Sequence, residues 1–443
     1  MTDLPRKAVV RTAKLASVPL GFAGRTALGL GKRLGGKPAE IVAAELQART
    51  AQQLFQVLGE LKGGAMKFGQ ALSIFEAAFP EELAAPYRAT LTKLQDSAPP
   101  MAIETVHAIL AEELGPRWRR QYSHFEDVPV ASASIGQVHR GTLKDGRVVA
   151  VKIQYPGAGE ALMSDLRQIS RVARLAAGWV PGIELGPILD ELRDRMAEEL
   201  DYRLEAKSQS AFAKAFADDP HFAIPMVVKS AEHVIVSEWL EGVPLSRIIR
   251  NGTTLERDAA AQLYLEFLLA GPARAGLLHA DPHPGNYRMT PDGRLGVIDF
   301  GAVNHVPTGM PPEIGRLLTA ALEGGAEAVL SGLRDVGFVR DTIDLDAHRL
   351  LDYLEPFIAP FREDEFTFSR AWLRSVFAHI HDPRQPNYTV AYKLNLPPEY
   401  LLIHRVWGGG IGVLSQLGGT VSGRATVNEL LPGADLPPVR QAG

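Results

Sequence analysis

Between Leu278 and Gly301 the chain reads HADPHPGN and, a little further on, IDFG. Asp281 is followed five residues later by Asn286 and eighteen residues later by Asp299. One acid to handle a nucleophile, then an amide oxygen and a second acid to hold magnesium, is the equipment of phosphoryl transfer. An unperturbed Asp is a weak base, so Asp281 must act through its reach to the nucleophile. Asn286 and Asp299 offer hard oxygen atoms, which Mg²⁺ takes together with phosphate oxygens and water. His279 and His283 flank Asp281 as HxDxH, a pattern that can also hold zinc or iron. Magnesium accounts for Asn286 and Asp299 as well and is the simpler expectation.

These residues need elements to hold them. Tyr264–Gly276 reads as an apolar helix leading through Leu277-Leu278-His279 into the loop. Met289–Ile298 reads as a hairpin around Asp292-Gly293, which would return Asp299 beside Asn286. Upstream, Val130-Ala131-Ser132-Ala133-Ser134-Ile135-Gly136-Gln137-Val138 lies between two strand candidates. It has the outline of a phosphate-covering loop, G-x-G-x-x-G-x-V, with Ala131 and Ala133 in place of the first two glycines. Alanine restricts φ and adds methyl groups, so this loop should be stiffer and grip nucleotide differently. Alone, an Ala/Ser-rich turn is an ordinary hairpin connection.

Val149-Ala150-Val151-Lys152 supports the phosphate reading, because Lys152 follows Val138 by fourteen residues. A lysine on an otherwise apolar strand either snorkels at an edge or meets an anion. Here it suits the α/β phosphates of ATP. It also needs a carboxylate to hold it. Glu198, Glu199, Asp201 and Glu205 are available in AEELDYRLEA, and a helical reading puts Glu198, Asp201 and Glu205 on one face. A solvated acidic face is the plainer alternative for such a run.

Composition bounds the rest. The chain has 443 residues, 46% hydrophobic and 22% charged, which describes a soluble globular protein of two or three domains. It has no cysteine, which excludes disulfides and thiolate metal sites. The net charge of -4 is uneven: residues 1–40 carry eight Lys/Arg and two acids. That arm, with apolar residues interleaved, is suited either to an anionic membrane surface or to solvent. Leu15–Ala23 is short, contains Pro19 and does not read as a secretory signal. Tyr400–Gly419 is interrupted by His404, Arg405 and a glycine run, and falls short of the ~20 apolar residues of a span. A cytoplasmic location, peripheral at most to a membrane, is the expectation.

The order of elements predicts an α+β, bilobal, protein-kinase-like fold with a small β-rich N-lobe and a larger helical C-lobe. The divisions expected are a basic arm at 1–39, a helical extension at 40–126, an N-lobe with inserted helices at 127–242, a C-lobe at 243–425 and a tail at 426–443. Pro225–Lys229 and Val234–Glu238 are two further strand candidates, and Glu238 joins the expected nucleotide contacts. Two features tell against a peptide substrate. Ala280 stands where many protein kinases have Arg, and only about ten residues separate Gly301 from Pro312-Glu313.

Taken with Lys67-Phe68-Gly69-Gln70, the alanine loop and Glu199-Leu200-Asp201, the chain resembles the UbiB/AarF/ADCK family of atypical kinases from about residue 40 to 420. These are the family's K-x-G-Q motif, its Ala-rich loop and its E-x-D motif. The resemblance implies that Glu205 pairs with Lys152. It also implies that Glu199 and Asp201 engage the Lys67–Gln70 segment, which gates the site where a protein kinase admits peptide. Some family members carry C-terminal transmembrane helices; this sequence departs from them. Implied, too, are ATP and Mg²⁺ as cofactors and work on a lipid or an isoprenoid quinone intermediate; no nucleic-acid partner is expected. Three functions follow as expectations. The first is an ATPase or atypical kinase supporting quinone or lipid metabolism, rather than a protein kinase acting in trans. The second is a nucleotide-switched lipid-binding or chaperone module without productive transfer. The third is a soluble small-molecule phosphotransferase.

Overall fold

The computed structural model describes residues 100–133, 135–159, 163, 200–381, 385 and 387–439. Within them an antiparallel sheet and two helices make the N-lobe. Helix α1 (Ile103–Leu114) buries Val106, Leu110 and Leu114, a stripe four residues apart along one face. It is followed by strands β1 (Tyr122–Phe125), β2 (Ala131–Ala133), β3 (Gly136–Leu143) and β4 (Val148–Gln154). Then come helix α2 (Tyr202–Ala215) and strands β5 (Phe222–Ala223), β6 (Val227–Ser230) and β7 (Val234–Glu238). The main sheet runs β1-β3-β4-β7-β6, with β2 folded back on β3.

The pleat of β4 decides what each of its residues meets. Val149, Val151 and Ile153 are fully buried and pack with Val106, Leu110 and Trp118 in the N-lobe core. Side chains alternate along a strand, so Lys152 faces the other way, toward the cleft. Its cross-strand partner Val138 shares that face. α1, β1 and the helical turn between them (Trp118–Gln121) belong to this lobe, so the N-lobe begins before residue 127: Trp118, Tyr122 and Phe125 close the apolar side of the sheet.

The chain enters the C-lobe through β8 (Val243–Pro244) and α3 (Leu245–Asn251). Helix α4 (Thr254–Ala270) starts on a capping box between Thr253 and Glu256. It buries Tyr264, Leu265, Phe267 and Leu268 and runs into a π-helical turn at Gly271–Ala275. Four short strands follow: β9 (Leu277–His279), β10 (Tyr287–Met289), β11 (Leu295–Val297) and β12 (Val303–His305). β10 and β11 form the hairpin expected around Asp292-Gly293, with Gly293 at φ 86°. β12 pairs with β9, so the chain after Gly301 turns back beside the segment that precedes Asp281.

Helices α5 (Pro312–Leu322), α6 (Ala326–Asp335) and α7 (Ala347–Ile358), strand β13 (Phe366–Thr367) and helices α8 (Arg370–His381) and α9 (Pro398–Leu417) complete most of the lobe. Strand β14 (Thr420–Val421) pairs with β13, and α10 (Gly423–Leu430) follows it. Val427, Leu431 and Leu436 join the same core as α4 and α9, so packing carries the C-lobe past residue 425. No helix among the described residues is long and apolar enough to cross a membrane.

Candidate active site

The cleft between the lobes brings three of the expected residues into direct contact. Lys152 Nζ donates to Glu205 Oε1 and Oε2 at 2.8 and 2.9 Å, and to Asp299 Oδ2 at 3.0 Å. The Tyr202 ring lies 5.1 Å from the same ammonium, close enough for a cation–π contact. Burial alone would lower the pKa of Lys152; Asp299 and Glu205 outweigh it and hold that pKa well above its ordinary value. Glu205 is pushed up, first by burial and then by Asp299, against the downward pull of Lys152. The cluster is therefore one cation shared by two acids, one of which sits at a desolvation cost.

Local sequence explains why Glu205 is there. It lies on the buried stripe of α2 with Tyr202, Ala206, Gln209, Phe212 and Ala213. The Phe300 backbone N–H also bonds to its carboxylate, tying α2 to the Asp299 segment. Asp201 departs from the expectation. It is not on a helical face with Glu205 but is the extended N-cap of α2, accepting from Arg203 N. A short acceptor at that position satisfies an otherwise orphaned helix N–H. Arg203 also clamps both Asp201 oxygens, at 2.8 and 2.9 Å.

The segment around Asp281 is held from behind. Tyr264 Oη, on buried α4, donates to the Pro282 carbonyl at 3.0 Å. Asp281 Oδ1 accepts from His283 N at 3.3 Å. Asn286 Nδ2 donates to the Asp281 carbonyl at 3.2 Å, which leaves Asn286 Oδ1 as the atom to offer a cation. Asp299 Oδ1 accepts from Gly301 N at 3.0 Å. Phe300 is buried against Phe212 of α2 and against His279, with ring centroids at 5.1 and 5.6 Å.

His279 is not placed as a metal ligand. Its Nε2 donates to the Asp299 carbonyl at 2.7 Å, and the Tyr287 hydroxyl bonds to Nδ1 at 3.1 Å. It is buried and holds the backbone of Asp299. His283 Nδ1 accepts from Gly285 N at 3.1 Å and closes the turn. Among the described residues no group of three His, Cys, Asp or Glu side chains could hold a metal ion. One carboxylate and one amide oxygen are too few for a protein-only cage; they suit Mg²⁺, which keeps waters and takes phosphate oxygens. Tyr202, Tyr264, His279 and Tyr287 are positioning residues that sequence reading overlooked as such.

The alanine loop is a tight hairpin. Ala131, Ser132 and Ala133 pair with Val138, Gln137 and Gly136. Gly136 is the glycine that packing requires, since a Cβ there would stand 2.2 Å from the Ile153 carbonyl oxygen. Ile135 is buried against Tyr202 and Ala206 of α2. Two side chains expected at the nucleotide are engaged elsewhere. Gln137 is buried on the α1 side of the sheet, accepting from Met101 N at 2.8 Å and bonding His139 Nε2 at 2.8 Å. It faces away because it shares the pleat of Ile153, not that of Lys152. The Glu238 carboxylate accepts from Met226 N at 3.3 Å, across β6 and β7. Ser134, Lys67, Phe68, Gly69, Gln70, Glu199 and the basic arm lie outside the described residues.

Known proteins match this arrangement. The family model "ABC1 atypical kinase-like domain" matches residues 93–332. The rat protein "Atypical kinase COQ8B, mitochondrial" is 32% identical over 297 residues, covering 66% of this chain and 56% of its own length. The Caenorhabditis elegans protein "Atypical kinase coq-8, mitochondrial" is 29% identical over 367 residues, covering 78% of this chain and 48% of its own length. The chain thus spans about half the length of the curated relatives it matches. A solved structure of Rv3197 with erythromycin, from Mycobacterium tuberculosis, shows 44% identity and a TM-score of 0.70 over 90% of this chain and 100% of that one. With the family model covering more than half of its length, the chain belongs to the ABC1 atypical kinase-like family.

Proposed function

We propose that this protein is a Mg²⁺-dependent, ATP-binding atypical kinase or ATPase that supports isoprenoid quinone or lipid metabolism. The observation that carries the reading is the three-way contact of Lys152 with Glu205 and Asp299 across the cleft. A cation suited to phosphates and an acid suited to a metal meet there, which supports the reading. Lys152 binds phosphate and Glu205 positions it. Asp281 orients the attacking hydroxyl or water, held by Tyr264 through Pro282. Asn286 and Asp299 hold the metal, whose chemistry when bound is to neutralise charge on the phosphates. Ala131–Val138 covers the nucleotide through its backbone, and Val138 shares the cleft face with Lys152.

The acceptor is not expected to be a protein substrate in trans. β12 returns at once to β9 after Gly301, which leaves little platform for a peptide. Ala280 also lacks the guanidinium that clamps a phosphorylated activation loop. We assign the gating role to Lys67, Gly69, Gln70, Glu199 and Asp201 by family analogy. Asp201, as a helix cap fixed by Arg203, is a firm anchor for such a segment. The basic arm at residues 1–40 suits contact with an anionic membrane surface.

The erythromycin of the Mycobacterium tuberculosis relative favours one addition: that this chain also takes up an apolar or amphiphilic small molecule. The test of the catalytic reading is single-turnover ADP formation from ATP with Mg²⁺ and anionic liposomes. Turnover by the wild type and its loss in Asp281→Asn supports an enzyme. Tight ATP binding without turnover in the wild type supports instead the nucleotide-switched module. Phosphate transfer to a soluble hydroxyl compound supports a small-molecule phosphotransferase.

A further inference from the structure

The C-lobe holds a second cavity, of about 330 Å³, on the far side of α9 from the catalytic loop. Its walls come from α4, α5, α7, α8, α9 and α10 and mix aliphatic side chains with the rings of Phe338, Phe361, Phe368, Trp372, Tyr400 and Trp407. His404 is the one ionisable group on its wall besides the Tyr400 phenol. Phe357 lines the cavity and stays 39% exposed, an aromatic ring left partly in water.

The character of the walls selects the occupant. The volume lies in the range of small-molecule sites, roughly 300–1,000 Å³. A charged ligand would lose its hydration against these rings with no counter-ion. Walls with so few polar groups suit a compact molecule rather than a peptide strand, whose backbone groups need hydrogen-bond partners. The hydroxyl of Tyr400 and the imidazole of His404 can each meet one polar group.

Two of the helices that wall the cavity, α4 and α9, also hold the catalytic loop. On α4, Leu265 lines the cavity while its neighbour Tyr264 anchors the Pro282 carbonyl. On α9, Trp407 and Ile411 line the cavity, while Gly409 between them lies against Pro282. A Cβ at Gly409 would stand 2.5 Å from Pro282 Cγ, and one at Gly410 would stand 2.6 Å from Leu268 Cδ1. The helices are in van der Waals contact with no slack at these points. Any change in their spacing is therefore passed to Pro282, the residue next to Asp281.

We infer that this cavity is a binding site for an uncharged small molecule with an apolar body and a hydrogen-bonding group, and that its occupancy alters turnover through Pro282. The inference rests on the proposed uptake of an apolar ligand and gives it a place. Calorimetric titration of the full chain, without nucleotide, tests the binding independently of any ATP chemistry. The probes are dodecanol, a linear chain with one hydroxyl, and 1-adamantanol, a compact cage with one hydroxyl. At least one is expected to saturate at one site per chain. Leu318→Trp, which fills the cavity from a half-buried position on α5, should weaken it at least tenfold. Ile314→Trp serves if Leu318→Trp fails to melt cooperatively. In the wild type a saturating probe should change ATP hydrolysis at least twofold, an effect lost in the filled variant. Binding of neither probe, or equal binding to wild type and filled variant, would overturn the site. Binding with unchanged hydrolysis would overturn the coupling.

Discussion

Lys152 Nζ lies 3.0 Å from Asp299 Oδ2, across 147 residues of sequence and from opposite lobes. The same ammonium also holds Glu205, so one cation ties β4, α2 and the end of β11 together. Arginine cannot replace it: a broad planar guanidinium does not fit a pocket made for a compact ammonium. Lys152→Arg should lower ATP turnover by about 10²-fold or more with little loss of fold, on the scale of a misplaced catalytic group. Steady-state hydrolysis with a melting curve checks this; wild-type kcat in a folded Lys152→Arg protein contradicts it.

Removing Glu205 should be felt in stability. Breaking a buried pair strands the remaining charge and costs about 3–5 kcal/mol, although here Asp299 remains as a second partner. Glu205→Ala is therefore expected at or below the low end of that range, and Glu205→Gln, which keeps the shape, should cost less. Urea denaturation of both variants measures it. Equal stability of wild type and Glu205→Ala would remove Glu205 from the ion cluster.

The pH dependence follows from the signs. Glu205 has a raised folded pKa, so it takes up a proton at a higher pH than the ordinary glutamate value of about 4.3. Acidification relieves the cost of burying its charge but releases its hold on Lys152. Nucleotide turnover should thus fall on an acid limb that begins above the ordinary glutamate range. Lys152 also has a raised folded pKa. Its contribution is fully present below its unfolded value of about 10.4 and is lost only as pH rises through the folded one. No alkaline loss of stability from Lys152 should occur before that. A turnover profile of wild type against Glu205→Gln tests the acid limb, which the variant should lack.

Sequence made the chemistry legible and the scaffolding much less so. The spacing of Asp281, Asn286 and Asp299 is visible because a loop and a two-stranded hairpin fix it locally. Lys152 is visible because a charge interrupts an alternating apolar strand. Glu205 was harder to single out among four nearby acids. What separates it is burial on α2, whereas Asp201 is taken out of the helical pattern by its work as a cap. His279 in HxDxH suggests metal by residue type alone. Only the fold shows that both its nitrogens are engaged by Asp299 and Tyr287. Gln137 was assigned to the nucleotide from its place in the loop, but the one-residue alternation of β3 turns it to the core. The meaning of Gly409 and Gly410 is set by partners more than a hundred residues away, which no local pattern encodes.

Gly409 supplies its own prediction. A methyl group there would collide with Pro282, and the catalytic loop would shift by a fraction of an ångström. Displacements of that kind cost up to ~10²-fold in rate. Gly409→Ala should lower kcat with little change in ATP affinity. A pure affinity defect with unchanged kcat would contradict the coupling of α9 to Asp281.

The alanine hairpin gives another. Ala131 is exposed on β2 and paired to Val138, so Ala131→Gly removes no core contact. It should cost about 0.5–1 kcal/mol through backbone freedom and alter the preference between ATP and ADP. Fluorescent-nucleotide titrations measure that preference; unchanged affinities for both nucleotides would deny the alanine any special role.

The proposed function requires Asp299 to serve as a ligand to magnesium when nucleotide binds. The direct measurement is calorimetric titration of ATP at increasing Mg²⁺, on wild type and Asp299→Asn. Wild-type affinity is expected to rise steeply with Mg²⁺, and that of Asp299→Asn to be weak and nearly flat. An identical Mg²⁺ dependence in the two proteins would contradict the account.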